Sequence, residues 1–358
     1  MSPRIFARIA ARLMRKPAAP YFEHSVRDEV EKICAENSLD WCRDRFGNVI
    51  VRLKTSSARP YVLAAHLDHP GFEVVRGDRN GNYVVRFQGG VPERFFRKGL
   101  LLRLLPGGSI AKLGGRIGKE NKFQVKLRDS EQPPPEFAVW EMEDFVVRGG
   151  RIHGRSCDDL VGVAAILAVL LELKRKRARV NVIGVISRAE EVGFRGALAV
   201  TDSGLLPKNS LVVSLETSRE LPGVMMGEGV ILRVGDKTSI FDTKAMRFLG
   251  EICAEQQSKN KNFRFQRGLM SGGTCEATAY QEFGFQTGAV CVALGNYHNC
   301  AAKNRIAAEF VSLHDACGMV DLLVAAARAM PRYEELVSKL PKRLLKMRRE
   351  GKRRLKAR

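Results

Sequence analysis

The sequence predicts an α/β protein whose mostly parallel sheet is covered by helices on both faces, with a small β-barrel-like domain inserted into it. Three observations support this prediction. Apolar runs typical of buried strands alternate with helical segments up to residue 69 and again from residue 153. Between residues 70 and 152 the pattern changes to short β-type runs interrupted by glycine and proline. With 358 residues and 45% hydrophobic side chains, the chain is apolar enough to exclude disorder throughout.

The first two segments are predicted to be helices. Residues 1–16 place arginines at helical spacing opposite apolar side chains, which describes a basic amphipathic helix. Two interpretations of this segment stay open: packing of its apolar face on the body of the protein, or a membrane-surface or targeting role. A second helix is expected at residues 24–37, followed by strands that begin near Phe46 and at Tyr61.

Residues 70–152 are predicted to form the inserted β domain, and an α/β domain is assigned to residues 17–69 and 153–335. The β-type runs of the insertion fall at residues 83–87, 100–105, 123–127 and 145–147. Strands of the α/β domain are expected at residues 180–187, 211–215, 263–266 and 289–294. Its helices are expected at residues 160–177, 196–202, 242–257, 275–280 and 309–330.

The net charge of +21 is concentrated at the two ends of the chain. Residues 1–16 hold five basic and no acidic side chains, and residues 341–358 hold ten basic and one acidic, so the ends supply fourteen of the 21 charges. Residues 336–358 are therefore assigned as a basic C-terminal tail, expected to be a solvated, disordered end. Binding of nucleic acid or of an anionic membrane through the basic ends is a less favoured alternative, since the tail lacks the aromatic residues that stack on bases.

Eight cysteines are widely spaced and form no C-x-x-C pair, which is typical of reduced thiols. The longest apolar run, residues 160–171, is shorter than the roughly 18–20 residues of a membrane span. We therefore expect a cytoplasmic protein without a transmembrane segment.

Polar side chains follow the predicted buried strands at the points where the strands end. They are His66, Asp68, Glu190, Glu191, Glu216 and His298, and the pair Asp158-Asp159 precedes a helix. Because ligands bind outside the carboxyl ends of strands in open α/β sheets, these side chains are expected to converge. Carboxylates packed so closely repel one another unless a cation neutralises them. A mixed His and carboxylate set suits zinc, with cobalt or manganese as alternatives, and a shared carboxylate would support two ions about 3.5–4 Å apart.

Four stretches occur in the order and spacing of a known family. They are Ala65-His66-Leu67-Asp68, Cys157-Asp158-Asp159, residues 190–197 with the sequence EEVGFRGA, and His298. Together with residues 44–50 and 271–274, they resemble the tetrahedral, or glutamyl-aminopeptidase-like, dinuclear metallopeptidases, whose members are often mislabelled as endoglucanases. The resemblance spans about residues 20–330. It implies a zinc-peptidase-like fold, an inserted domain that helps to build homo-oligomers, and hydrolysis of short peptides.

The resemblance also implies a role for each matched residue. One divalent ion would be held by His66, Asp158 and Glu216. A second would be held by Asp158, Glu191 and His298, with a cis peptide bond between Asp158 and Asp159. Asp68 would orient His66, and Glu190 would take the proton from the metal-bridging water that attacks the peptide carbonyl. A substrate-binding loop is expected at Ser271, Gly272, Gly273 and Thr274. For His69, beside Asp68, a structural or surface role is favoured, and a place in the wall of the substrate pocket is the alternative.

The sequence departs from the family pattern at three places. Glu216 stands where Asp is usual, Leu160 where Arg is usual, and His69-Pro70-Gly71 where Glu-Ile/Val-Gly is usual. The predicted function is an aminopeptidase that removes N-terminal residues from short peptides. A related metallo-carboxypeptidase or N-acyl-amino-acid deacylase is an alternative, because those enzymes have a longer acidic side chain at the position of Glu216. A non-catalytic protein that binds nucleic acid or lipid through its basic ends is a third alternative.

Overall fold

The structure is a computed structural model that describes residues 1–78, 80–118, 120–127 and 133–356. Its helices are α1 (Pro3–Met14), α2 (His24–Glu36), α3 (Cys157–Arg175), α4 (Arg195–Thr201), α5 (Thr243–Lys259), α6 (Glu276–Glu282), α7 (Leu313–Ala329) and α8 (Tyr333–Lys356). Its strands up to the start of α3 are β1 (Asp40–Arg43), β2 (Val49–Lys54), β3 (Tyr61–His66), β4 (Gly71–Gly77), β5 (Asn82–Gln88), β6 (Leu101–Leu105), β7 (Ile110–Ile117), β8 (Lys122–Lys126), β9 (Phe137–Trp140), β10 (Val146–Arg148) and β11 (Arg151–Gly154). The later strands are β12 (Asn181–Ser187), β13 (Leu211–Arg219), β14 (Val230–Gly235), β15 (Phe265–Leu269), β16 (Gln286–Gly295), β17 (Cys300–Ala301), β18 (Arg305–Ile306) and β19 (Glu309–Ser312).

The large sheet runs in the order β1-β2-β12-β3-β13-β16-β19-β11-β10, and β14 and β15 continue it beside β16. Its centre, β12-β3-β13-β16, is parallel, whereas β2 and β19 join this centre antiparallel. Alternate side chains of β3 face opposite layers. Tyr61, Leu63 and Ala65 lie in the core with α1, α2, α3, α5 and α7, and Val62 and Ala64 lie in the core with α4 and α6. A parallel centre covered by helices on both faces confirms the predicted fold class.

Strands β4-β5-β8-β7-β6-β9 close into a barrel that is inserted between β3 and α3. Aromatic side chains fill its interior, with ring centroids 4.8 to 6.4 Å apart: Phe72, Phe87, Phe96, Phe123 and Trp140. The inserted β-barrel-like domain is therefore confirmed as part of the fold. Its predicted outer limits, residues 70 and 152, stay a prediction.

Three local predictions were wrong. The strand expected in the insertion at residues 145–147 is β10, which pairs with β11 in the large sheet instead. The helix expected from residue 309 begins only at Leu313, because the preceding residues form β19 between β16 and β11. The C-terminal segment, expected to be disordered, is helical up to Lys356.

Helix α1 packs on the body of the protein. Phe6, Ile9, Leu13 and Met14 are buried in the main core together with side chains of α3. Its apolar face is therefore covered, which supports packing rather than insertion into a membrane. Among the described residues, no helix is both long and apolar enough to cross a membrane.

Candidate metal centre

The parallel centre of the sheet brings the predicted ligands to one edge. β3 ends at His66, Glu216 lies near the carboxyl end of β13, and His298 follows β16. The turn after β12 presents Glu190 and Glu191. Asp158 lies in the first turn of α3, and the peptide bond that joins it to Asp159 is cis, as the family resemblance implied.

The five predicted ligands form two sets that share Asp158. Donor atoms of His66, Asp158 and Glu216 lie within 4.8 Å of one another, and so do those of Asp158, Glu191 and His298. A third set at the same spacing joins His66, Glu190 and Glu191, so Glu190 lies beside both predicted sets. The structure therefore brings together every residue that was predicted to hold a metal or to act as the base.

Two glycines shape the turn that presents Glu190 and Glu191. Gly193 has a φ of 105°, which favours glycine, and its N–H donates to the Glu190 carbonyl at 2.8 Å. A Cβ at Gly196 would lie 2.5 Å from Asn48 Oδ1, the atom that accepts the Arg188 N–H at 3.0 Å. The glycines of the EEVGFRGA stretch thus explain why this sequence folds back at the sheet edge.

Main-chain carbonyls hold both histidines through Nδ1. His66 Nδ1 lies 3.1 Å from the Asp68 carbonyl oxygen, and His298 Nδ1 lies 2.8 Å from the Gly90 carbonyl oxygen, between β5 and β6. A carbonyl only accepts, so Nδ1 carries a proton, and Nε2 is the nitrogen of each ring that is left to bind a metal ion or a second proton. These Nε2 atoms lie 3.6 and 3.7 Å from the Asp158 carboxylate. Each Nε2 atom and the carboxylate can therefore share a cation, which is either a metal ion or the proton of a charged imidazole.

Carboxylate oxygens of the cluster also lack partners. Asp158 Oδ1 and Glu216 Oε1 are buried and have no hydrogen-bond partner among the described residues, and the buried Glu191 Oε1 has only His298 Nε2 beside it, at 3.2 Å. Buried polar atoms are rarely left unpaired, and buried charges are paired or coordinate metals. The set of histidine nitrogens and carboxylate oxygens therefore fits divalent metal ions.

The electrostatics of the cluster agree with this fit. Burial raises the pKa of Glu216 to about 8 and the pKa of Glu190 well above its ordinary value. Burial alone would lower the pKa of His298, but the Glu191 and Asp158 carboxylates raise that pKa to about 9. These shifts are the ones expected where buried carboxylates lack balancing positive charge.

Asp68 contacts both His66 and the turn after β12. Its carboxylate accepts the Glu190 N–H at 2.9 Å and the Glu191 N–H at 3.1 Å. Its Oδ1 atom is 3.5 Å from His66 Nδ1, farther than its own carbonyl oxygen. The carboxylate therefore fixes the turn, and the main chain of Asp68 orients the imidazole.

Glu309 was missed as a site residue because it was predicted to begin a helix. It is fully buried, and its carboxylate accepts the Asp158 N–H at 3.0 Å and the His298 N–H at 2.8 Å. One side chain thus fixes the main chain at two of the predicted ligands. A single acidic residue ahead of an apolar run gives no sequence signal for such a role.

His69 does not line the pocket, and its contacts agree with the structural role that was favoured for it. Its ring is fully buried, with Nδ1 2.9 Å from the Asp158 carbonyl oxygen and Nε2 2.9 Å from Asn299 Oδ1. Burial also lowers its pKa, which favours the neutral ring. His69 therefore contacts the cis peptide segment that carries the predicted ligand Asp158.

A cavity of about 290 Å³ opens onto the cluster. Of the predicted substrate loop, Gly272, Gly273 and Thr274 line this cavity, whereas Ser271 is not among the described residues that line it. The remaining wall includes both apolar and cationic side chains: Phe194, Leu221, Met270, Tyr297, Arg219 and Arg233. Carboxylates and arginines therefore both contribute to the wall of the cavity.

Buried carboxylates and imidazoles at the carboxyl edge of an α/β sheet, open to a small cavity, are typical of metal-dependent hydrolases. Residues 123–309, just over half of the chain, match the M42 glutamyl aminopeptidase family. The chain belongs to this family, and it is accordingly a peptidase of the metallo-aminopeptidase class.

Solved structures share the fold over nearly their whole length. The TET1 peptidase of Pyrococcus horikoshii, described as able to assemble into a tetrahedron or a large octahedral shell, is 21% identical with a TM-score of 0.74, over 90% of this chain and 99% of that one. An aminopeptidase of Desulfurococcus kamchatkensis is 21% identical with a TM-score of 0.75, over 93% and 98% of the two chains. A Thermotoga maritima protein described as an endoglucanase is 16% identical with a TM-score of 0.68, over 93% and 99%. At these identities the likeness establishes the fold.

Proposed function

We propose that this protein is a dinuclear metal-dependent aminopeptidase that removes the N-terminal residue from short peptides. The observation behind the proposal is the pair of donor sets that share Asp158 and combine imidazole nitrogens with unpaired carboxylate oxygens. His66 and Glu216 would complete one ion site, and Glu191 and His298 the other, with zinc favoured and cobalt or manganese as alternatives. Bound there, divalent ions would make a water more acidic and polarise the peptide carbonyl.

Glu190 is the general base of the proposed reaction. Its carboxylate lines the cavity and lies beside both donor sets. There it takes a proton from the water that attacks the peptide carbonyl, and it later gives that proton to the leaving amine. Burial raises its pKa, which matches a group that both accepts and returns a proton. The Asp68 carboxylate accepts the N–H groups of Glu190 and Glu191, and these hydrogen bonds hold the main chain of Glu190 in place.

The cavity supports a small substrate group. Its volume of about 290 Å³ is at the low end of ligand pockets, which suits one terminal residue of an extended peptide. Phe194, Leu221, Met270 and Tyr297 give it apolar walls that exclude water from the reacting atoms. The small volume of the cavity favours short or unfolded peptides as substrates.

The arginines of the cavity favour an acidic terminal residue. Arg233 is buried and donates to Ser218 Oγ at 3.0 Å and to the Gly273 carbonyl at 3.2 Å. Arg219 is exposed, with its guanidinium 6.0 Å from the centre of the Tyr297 ring. Arg219 is therefore the better placed of the two to pair with a substrate carboxylate, in agreement with the glutamyl aminopeptidase description of the family.

The protein is also proposed to form a homo-oligomer, because TET1 of the same fold is described as assembling into closed shells. Sedimentation only as a monomer at micromolar concentration would contradict this. The cytoplasmic location stays a prediction. It agrees with the cysteines, which form no disulfide among the described residues.

Metal analysis combined with a substrate panel tests the proposed function. We expect about two divalent ions per chain, release of p-nitroaniline from aminoacyl-p-nitroanilides, and loss of this activity with a chelator. Hydrolysis of N-acylated amino acids without hydrolysis of aminoacyl substrates would instead favour the deacylase or carboxypeptidase alternative that Glu216 raised. One bound ion per chain would contradict the dinuclear centre.

A further inference from the structure

Helix α8 leaves the body of the protein after its first two turns. Tyr333, Leu336 and Val337 are buried in the main core. From residue 341 to residue 356 every residue is exposed except the half-buried Gly351. Isolated helices of this length are marginal in water, because tertiary packing normally provides most helical stability. This segment, residues 341–356, is called the projecting segment below.

One narrow stripe along the projecting segment is apolar. It begins at the buried Leu336 and continues through Leu340, Leu344, Met347, Gly351 and Leu355. At about 100° per residue, the last five positions fall within about 80° of one another on the helix. Leu344, Met347 and Leu355 are 51%, 57% and 82% exposed. The body of the protein leaves Leu344, Met347 and Leu355 of this stripe uncovered.

The remainder of the projecting segment is almost entirely basic. Residues 342–356 hold nine lysines and arginines and one acid, Glu350. Arg343 and Arg354 border one side of the apolar stripe, and Arg348 and Lys352 border the other. A narrow apolar stripe bordered by cations is typical of helices that lie in the interface of an anionic membrane.

We propose that the projecting segment binds the surface of a membrane that contains anionic lipid. The helix lies parallel to the surface, with the apolar stripe at the acyl boundary and the bordering cations at the headgroup phosphates. This contact would place the peptidase at a membrane surface. The charge complementarity between the nine basic side chains and the anionic headgroups is the basis for this choice of partner.

Two other partners fit the segment less well. A second copy of the helix would bring two strongly positive surfaces together, which opposes association. Nucleic acid would neutralise the cations but leave Leu344, Met347 and Leu355 in water, and the segment offers no aromatic ring for stacking. Helix α1 does not compete as a membrane anchor, because its apolar face is buried.

Co-sedimentation of the full-length protein with lipid vesicles tests the proposal. We expect binding to vesicles of phosphatidylcholine mixed with phosphatidylglycerol and little binding to phosphatidylcholine alone. The triple variant Leu344→Gln, Met347→Gln, Leu355→Gln removes the stripe and should weaken partitioning at least about tenfold. Its hydrolysis of aminoacyl-p-nitroanilides should match that of the unchanged protein, which shows that the body is folded.

Matched charge variants separate insertion from simple attraction. The variant Arg343→Gln, Arg348→Gln, Lys352→Gln neutralises cations at the stripe, and Lys346→Gln, Arg349→Gln, Arg353→Gln neutralises the opposite face by the same amount. We expect the first to weaken vesicle binding more than the second. A Leu344→Trp variant should show a blue shift of its tryptophan emission on anionic vesicles. This readout keeps the proposal testable if the triple variant loses its helix and its weaker binding has that cause instead.

Several outcomes would overturn the proposal. They are no binding of the unchanged protein to anionic vesicles, equal binding to neutral vesicles, and full binding by the stripe variant, which would show adsorption of a polycation only. Binding of duplex DNA without binding of vesicles would assign the segment to nucleic acid. A lower oligomeric state of the stripe variant in sedimentation velocity, without vesicle binding, would assign it to a contact between copies.

Discussion

The carboxyl edge of the central sheet and the projecting segment of α8 place charge in opposite ways. At the edge, carboxylates outnumber cations and are buried, and Asp68 and Glu309 fix the main chain around them through hydrogen bonds. On the projecting segment, basic side chains are exposed. The ends of the chain supply most of the net charge of +21, whereas the chemistry belongs to an acidic cluster. Net charge therefore describes the surface of this protein and not its active centre.

The difference also concerns rigidity. A metal centre needs donor atoms held within a few tenths of an ångström, which buried supporting hydrogen bonds provide. A surface-binding helix needs only apolar residues at helical spacing and a suitable charge pattern. The surface that it binds then covers its apolar side chains. Variants at the edge should therefore cost activity, and variants on α8 should leave it intact.

Glu309→Gln should have a larger effect on activity than Arg219→Gln, the variant described after it. The amide nitrogen would replace an oxygen that accepts the Asp158 or His298 N–H, so one of those main-chain groups would lose its partner. We expect a loss of about 10- to 100-fold in metal affinity or activity, the usual effect of removing a group that supports ligands. Titration of the metal-free protein with zinc, followed by activity measurement, checks this.

Asp315→Asn is a matched control for Glu309→Gln. Asp315 is also buried and accepts two main-chain N–H groups, those of Gly227 at 2.6 Å and Gly229 at 3.1 Å, but neither glycine is a predicted metal ligand. It should lower thermal stability and leave zinc affinity unchanged. A similar loss of zinc affinity in both variants would show that Glu309 acts through general stability alone.

Arg219→Gln should have a smaller and substrate-dependent effect. Loss of a partly solvated charge-assisted contact is expected to raise KM for a glutamyl p-nitroanilide about tenfold and to leave the leucyl substrate nearly unchanged. Arg267→Gln, an exposed position that does not line the cavity, is the control. Equal changes for the two substrates would contradict a role for Arg219 in recognition of acidic residues.

Residues at the ends of long buried strands were the most predictable. His66 and Glu216 follow apolar runs whose length and composition identify strands. Because ligands of open α/β sheets bind outside the carboxyl ends of the strands, both residues could be predicted to lie at one site. Glu309 was not predictable, because a short apolar run cannot be assigned to strand or helix by its period, and β19 leads directly into α7. His69 shows a second limit: sequence places a residue near a site but does not say on which side of the ligands its ring lies.

Helix α8 shows a third limit. Its apolar period was present in the sequence, but the density of like charges favoured a disordered end. In the structure the helix is continuous with the buried first turns, so its start is fixed by packing of Leu336 and Val337. Tertiary contacts at the start of α8 thus favour a helix in a segment whose composition alone suggested disorder.

The most direct test of the central claim is the metal content and kcat of Glu190→Gln measured on the same preparation. If Glu190 moves the proton and the other five residues hold the metal, the variant keeps both ions and loses at least about a hundredfold in kcat, with KM little changed. A variant as active as the unchanged protein would contradict the role of Glu190 as base. A variant that loses an ion would show that Glu190 is a ligand, as the third donor set with His66 and Glu191 would allow.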